Sequence, residues 1–363
     1  MPDFTKSTLA WTLTWDADWV TSVAFIGSSC KVAAGNNLGG ILMWDLPEKP
    51  GGEAPKPTLR LDGHTNCISK LASTPDGKTL ISASYDHTVR VWDTAARATG
   101  EEKLVLNAMA IADAERRKNN GAKVPPAMPA TVGVVKASQV FDAHKEWVIS
   151  LDLSRDGKTV ISGDDGGHVI IWDRGSRTVT KRWQVKGWVY GLALSPDTKQ
   201  ACVAERLPLV FDSGRHAAFK LWNTATGEST HDLSAEFKGM HLSAAAYSPD
   251  GKVLVVGRGG ESEGPVSLID PIAGKKLKTL APIHQYGVTD IAFHPDGKHF
   301  ASSGRDTVVR IWEAASGKLV SEVGKSRGGQ FKDWIHAVSW SADGSWLAAA
   351  DMVGAVQIWH FPG

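Results

Sequence analysis

Short apolar stretches of about five residues alternate with turn-forming residues along almost the whole chain. Val288-Thr289-Asp290-Ile291-Ala292-Phe293 and Thr79-Leu80-Ile81-Ser82-Ala83 have the length and content of strands. Between two such stretches comes a Pro-Asp-Gly turn or a variant of it: Pro75-Asp76-Gly77, Arg155-Asp156-Gly157, Pro196-Asp197-Thr198, Pro249-Asp250-Gly251, Pro295-Asp296-Gly297 and Ala342-Asp343-Gly344. Proline presets φ for such a turn and glycine accepts a positive φ. A third strand then ends in an apolar–Trp–polar step, at Trp44, Trp92, Trp172, Trp222, Trp312 and Trp359, with Leu268-Ile269-Asp270 as a copy that has lost its tryptophan. The seven steps are spaced by about 42 to 50 residues, apart from one interval of 80 between Trp92 and Trp172. The unit is therefore three strands closed by a tryptophan, followed by a fourth that leads onward. Self-similarity at this period marks a repeat architecture.

Unit two carries the pattern best, opening with Leu61-Asp62-Gly63-His64 and closing with Val91-Trp92-Asp93. It resembles the WD40 repeat family, and the resemblance covers nearly the whole chain. What it implies is an all-β fold: a seven-bladed WD40-type β-propeller, one domain over residues 1–363. Leu9-Ala10-Trp11-Thr12-Leu13 is a spare strand ahead of the first inner strand, Val20 to Phe25, and the chain ends one strand short after Trp359. The N-terminal strand is expected to close the ring by completing blade seven, which removes the exposed edge.

The long interval contains one helical insertion, residues 97–134, in the loop between the third and fourth strands of blade two. Glu101 to Lys118 reads as a helix with Leu104, Ala108, Ile111 and Ala112 on one side, stopped by Asn119-Asn120-Gly121 and followed by an extended Pro125-Pro126-Ala127-Met128-Pro129. Its position in the unit predicts that it projects from the bottom of the ring.

Composition narrows the function. Fifteen tryptophans outnumber the 4 tyrosines and 10 phenylalanines together, which the repeat explains. A net charge of +1, from 40 basic and 39 acidic residues, argues against a dedicated nucleic-acid binder. Cys30, Cys67 and Cys202 are too scattered for a disulfide framework or a zinc site. Met1 to Trp15 lacks the features of a secretory signal, and no apolar run is long enough to span a membrane. The expectation is a monomeric, cytoplasmic protein without cofactor or metal.

His64, Ser82, Asp86 and Trp92, and again His284, Ser302, Asp306 and Trp312, contain the elements of a Ser-His-Asp triad. Their recurrence at equivalent places favours architecture over chemistry: the resemblance implies a buried hydrogen-bond network that pins the turns to the third strand. Blade three has His144, Ser162 and Trp172, but Gly166 stands where the acid belongs, with Asp164 or Asp165 as substitutes. Blade seven has Phe331 near the His position and Val353 at the Asp position, and blade five has Ile269 for Trp. These three blades are expected to rely more on apolar packing.

In a propeller of this kind, the loops before the first strand and between the second and third share one face, here called the top. The residue before each inner strand reads Trp19, Cys67, Trp147, Trp188, His241, Gly287 and Trp334. Near the channel mouth stand Thr21, Ser69, Ile149, Tyr190, Ser243, Thr289 and His336, and the turns add Asn37, Tyr85, Asp165, Arg215, Arg305 and Met352. Aromatic and arginine side chains dominate binding hot spots. The preferred partner contacts are Trp19, Trp147, Trp188, Trp334, Tyr85, Tyr190 and Arg305. His241 and His336 lack a convincing third metal ligand. Enlarged top loops at Ala204–His216, Gly257–Pro265 and Gly324–Asp333, the last with Lys325, Arg327 and Lys332, would wall one side. The sequence thus points to a non-catalytic scaffold for a protein or peptide partner. Two alternatives stay open: a hydrolase or lactonase-like enzyme using the channel, and a structural domain of a larger redox or signalling protein.

Overall fold

The computed structural model describes residues 2–17, 19–28, 30–117, 123–206, 217–260, 263–324 and 334–363. The apolar stretches form strands, and the strands form seven antiparallel blades. Six blades have four strands; the sheet of blade one has six. The inner strands are Val20–Phe25, Ile68–Ser73, Val148–Leu153, Trp188–Leu194, Leu242–Tyr247, Val288–Phe293 and Ile335–Trp340. Each touches its two neighbours in an unbroken cycle, and the seventh returns to the first. Thr8–Thr14 pairs antiparallel with Ala355–His360 as the outer strand of blade seven. The N-terminal strand therefore closes the ring, as its spare place in the sequence predicts. Below it, Asp3 N donates to Pro362 O at 2.7 Å, and Phe4 packs against Trp340 and Phe361.

The turns recur in chemistry as well as position. Ser154 Oγ donates to Asp156 Oδ1 at 2.7 Å, and Asp156 Oδ1 also accepts from Lys158 N at 3.0 Å. Thr74–Asp76, Ser195–Asp197, Ser248–Asp250 and Ser341–Asp343 repeat the pair. This side-chain turn is what the Asp of each Pro-Asp-Gly motif supplies.

Every inner strand has a β-bulge near its start, at the second residue in six blades and at the third, Tyr190, in blade four. A bulge re-aims a side chain, and here the hydroxyls stitch blade to blade. Thr21 Oγ1 donates to Ile68 O at 2.5 Å, Ser69 Oγ to Val148 O at 2.6 Å, Ser243 Oγ to Val288 O at 2.6 Å and Thr289 Oγ1 to Ile335 O at 2.5 Å. Blade three places Ile149 at the bulge and uses Ser150 Oγ instead, to Val189 O at 2.7 Å. Between blades lie apolar clusters that draw on both neighbours: Ile81, Ala83 and Val91 of blade two meet Val148, Leu151 and Trp172 of blade three.

The insertion differs from the helix predicted over 101–118. Gly100–Val105 is a strand, and only Ala108–Arg116 is helical. The strand alternates exposed and half-buried positions, with Leu104 against the cluster around Trp11 and Trp44. It pairs antiparallel with Pro129–Lys136, which in turn pairs parallel with Pro57–Asp62. Sheet pairing has overridden helix propensity. The insertion thus extends the outer edge of blade one and does not hang from the bottom as a helix. No residue of the helix is buried; it is tied to the ring by Met109 N, which donates to Asp16 Oδ1 at 2.6 Å. Asn119-Asn120-Gly121, read as its stop signal, lie within 118–122, outside the described residues.

The turns between second and third strands press against the loop of the next blade. Gly354 has φ +84°, and an added Cβ would lie 2.1 Å from Ala17 O. Gly354→Ala therefore combines a strained backbone with a clash against main chain, at an expected cost of about 1–3 kcal/mol. A thermal melt of the variant beside wild type reads the loss; an unchanged midpoint would contradict this close approach.

Candidate functional site: the top face and channel mouth

His64 Nδ1 lies 2.7 Å from Asp86 Oδ2, His64 Nε2 lies 2.7 Å from Ser82 Oγ, and Trp92 Nε1 donates to Ser82 Oγ at 2.8 Å. Blade six repeats this with His284, Asp306, Ser302 and Trp312 at 2.8, 2.9 and 2.9 Å. Burial pushes the His64 and His284 imidazoles down, so both are held neutral. In blade two one polarity satisfies the relay: Trp N–H to Ser Oγ, Ser O–H to His Nε2, His Nδ1–H to the carboxylate; in blade six Arg310 Nη1 also lies 2.7 Å from His284 Nδ1. Burial raises the Asp306 carboxyl, but hydrogen bonds from His284 and Arg310 outweigh it and hold it at about 2. Ser82 and Ser302 are fully buried, so their hydroxyls have no path to a substrate.

Blade three corrects the expectation of apolar packing. His144 Nδ1 lies 2.7 Å from Asp164 Oδ2, His144 Nε2 lies 2.7 Å from Ser162 Oγ, and Trp172 Nε1 donates to Ser162 Oγ at 2.9 Å. The network is complete because Asp164, two residues before Gly166, reaches the same histidine. Asp351 of blade seven stands at the matching strand end and accepts from Val353 N and Ala355 N at 3.1 and 3.0 Å. Phe331 lies outside the described residues. Ile269 of blade five is fully buried beside Phe219 and Phe237, as apolar packing requires.

On the top face, the two classes of position singled out in the sequence are joined by hydrogen bonds. Asn37 N donates to Trp19 O, Tyr85 N to Cys67 O, Asp165 N to Trp147 O, Gly259 N to His241 O, Arg305 N to Gly287 O and Met352 N to Trp334 O, all at 2.9–3.1 Å. Each turn is thus clamped to the loop of its own blade, and the side chains of both stand together on one rim. Trp147 stacks on Tyr85 with centroids 5.0 Å apart and planes at 2°, bridging blades three and two. Arg305 lies 4.4 Å over the Trp334 ring. Trp188 and Tyr190 stack at 6.3 Å beneath the Arg206 guanidinium, 5.7 and 5.5 Å from the two rings. Tyr190 meets His241 edge-on at 5.3 Å. Trp19 and Trp147 remain about half exposed.

Below this rim opens a channel of about 970 Å3, lined among others by Tyr85, Tyr190, Arg206, His241, Arg305 and His336. Lys70 of blade two reaches Asp290 of blade six at 2.6 Å. Burial raises the Asp152 carboxyl to about 6, although it accepts from Leu194 N and Leu153 N at 2.7 Å. Sequence reasoning passed over Arg206, Lys70, Asp152 and Asp290. Arg206 ends a second strand and the others lie inside first strands, positions that carry no loop signal. Arg215, Lys325, Arg327, Lys332 and most of two enlarged top loops lie outside the described residues. Among the described residues no three His, Cys, Asp or Glu side chains are grouped to hold a metal, and no helix is long and apolar enough to cross a membrane.

The family model for the WD domain, G-beta repeat, matches residues 55–93, 135–173, 274–313 and 323–360. These segments end blades two, three, six and seven of a closed seven-bladed ring. The chain belongs to the WD40-repeat family. The rice (Oryza sativa subsp. japonica) small ribosomal subunit protein RACK1y is 25% identical over 376 aligned positions, covering 98% of this chain and 96% of that one. The target of rapamycin complex subunit wat1 of Schizosaccharomyces pombe is 23% identical over 244 residues, 64% of this WD40 chain and 73% of the relative. WD repeat-containing protein 1 of Xenopus tropicalis is 27% identical over 229 residues, 61% of this chain and 35% of the relative. Similarity to WD-repeat proteins assigns the propeller to the protein-interaction scaffolds as a class.

Proposed function

We propose that this propeller binds a peptide segment of a protein partner on its top face, across the channel mouth, as a monomeric, cytoplasmic scaffold without catalysis of its own. The observation that carries this reading is the half-exposed Trp147 held flat on Tyr85 across two blades. Rigid aromatic rings present a large contact area with little ordering left to do on binding. Trp19, Trp188, Tyr190, Trp334 and Arg305 continue the same rim. The enzyme reading finds less support: the buried serines are consumed by indole and imidazole, Asp290 is paired with Lys70, and Asp152 is satisfied by backbone N–H groups.

Affinity capture from cells of the source organism tests the reading. Partners retained by wild type should be lost with Trp147→Ala and with Trp19→Ala, while each exposed truncation shifts stability by about 1 kcal/mol or less. Capture that survives both variants but disappears on deleting 97–134 would move the interface to the insertion.

A further inference from the structure

The top rim is polarised. The second strands of blades four and five, Gln200–Arg206 and Leu254–Arg258, both end in arginine, and Arg305 follows that of blade six, His299–Gly304. Arg206 is opposite Trp188 in its ladder and Arg258 opposite Leu242, so both stand at the top end of their sheets. Their guanidinium groups are held in place without carboxylates. Arg206 lies over Trp188 and Tyr190, and Arg258 Nη1 donates to Glu263 O at 2.9 Å. Neither forms an ion pair among the described residues. The neighbouring Glu205 is buried and accepts from Lys186 N and Gly187 N at 3.0 and 3.2 Å. His241 sits inside the arc: burial, and then the charges of Arg206, Arg305 and Arg258, push its imidazole down to about 4.

The rim of blades seven and one is apolar. In blades two and six the turn between second and third strands carries Asp86 and Asp306. At the same turn position blades one and seven carry Leu38 and Val353, which are 69% and 47% exposed, beside Trp19 at 47%. In these blades the turn is tied from the strand end, by Asn36 Oδ1 accepting from Leu38 N and Gly40 N and by Asp351 Oδ1 accepting from Val353 N and Ala355 N, and the turn itself presents an aliphatic side chain to solvent. Exposed apolar groups gathered on one rim mark a contact surface.

We propose that the top face takes an acidic peptide segment with an apolar anchor: its carboxylates lie over the arginines of blades four to six, and its aliphatic or aromatic side chain lies against Trp19, Leu38 and Val353. This deepens the top-face reading and rests on it. Carboxylates accept charge-assisted hydrogen bonds from guanidinium forks, and an apolar residue over blades seven and one covers surface that water wets poorly.

The test is selection of random dodecapeptides displayed on phage against the full chain. The expected outcome is enrichment of peptides that combine Asp or Glu with Trp, Phe, Leu or Ile. The tightest of them, made synthetically, should weaken about tenfold or more in each of Arg206→Gln and Arg258→Gln, the loss of one charge-assisted hydrogen bond. Leu38→Ser with Val353→Ser should weaken it while sparing the response to salt. Unchanged near-ultraviolet circular dichroism checks that each variant is folded. Three results overturn the proposal: no enrichment, enrichment without acidic bias, or tighter binding of a short oligothymidylate than of any selected peptide. Peptides without acidic bias that are still lost in Trp147→Ala would sink this inference alone. Peptides indifferent to Trp147→Ala and Trp19→Ala would sink the top-face reading with it.

Discussion

Asp306→Ala should destabilise the propeller by about 3–5 kcal/mol, the cost of leaving a buried charge without its partner. The Asp306 carboxylate is almost fully buried and accepts from His284 Nδ1 at 2.8 Å and from Arg310 Nη1 at 2.8 Å. Arg310 is itself buried, so the truncation strands its guanidinium with only the half-exposed Glu322 beside it. Asp86→Ala provides the comparison. Its histidine contact is the same, but Arg90 is more exposed and stands 3.8 Å away. The expected loss there is about 1–3 kcal/mol, that of an unsatisfied buried donor. Equilibrium unfolding in urea measures both. Equal losses would show that Arg310 is not what makes the blade-six network costly to break.

That contrast shows what the sequence could and could not carry. The ring was legible because strands, turns and tryptophans each mark the repeat independently, and the spare strand before Val20 fixed the closure. The network of blade three was legible only in part: Asp164 and Asp165 both stood as substitutes for the missing acid, but the motif is counted along the chain whereas the carboxylate works in space. Asp164 reaches His144 from a position two residues early, where the strand end brings it to the same ring. The first half of the insertion was misread for a related reason. Its residues suit a helix locally, but the free outer edge of blade one, Pro57–Asp62, offers Pro129–Lys136 a ladder that local propensity does not encode. On the top face, the aromatic positions follow from the loop count. Arg206 and Arg258 do not, since both belong to regular strands and become a site only when three consecutive blades are set side by side.

Acid should weaken the fold well before its carboxylates titrate. Burial pushes the imidazoles of His64, His144 and His284 below their ordinary value, and His241 falls to about 4. The unfolded chain binds protons at these histidines from about pH 6.5 downward while the native state does not. Stability is therefore full above that pH and declines below it, by up to about 1.4 kcal/mol per pH unit for each histidine kept neutral. Asp152 acts in the opposite sense. Its native carboxyl holds a proton up to about 6, whereas the unfolded one releases it near 3.9, so this single group favours the fold as pH drops through that window. Four histidines outweigh one carboxyl, and the net expectation is a loss of stability from pH about 6.5 to about 5. The depressed Asp306 adds to the decline only below about 4, toward its native value of about 2. Urea unfolding across this range measures the slope, and Asp152→Asn should steepen it between about pH 6 and 4 by removing the opposing group. A flat profile from pH about 6.5 to about 5 would mean that the native histidines take up protons as readily as the unfolded ones, and that the Trp–Ser–His–Asp relay does not hold them neutral.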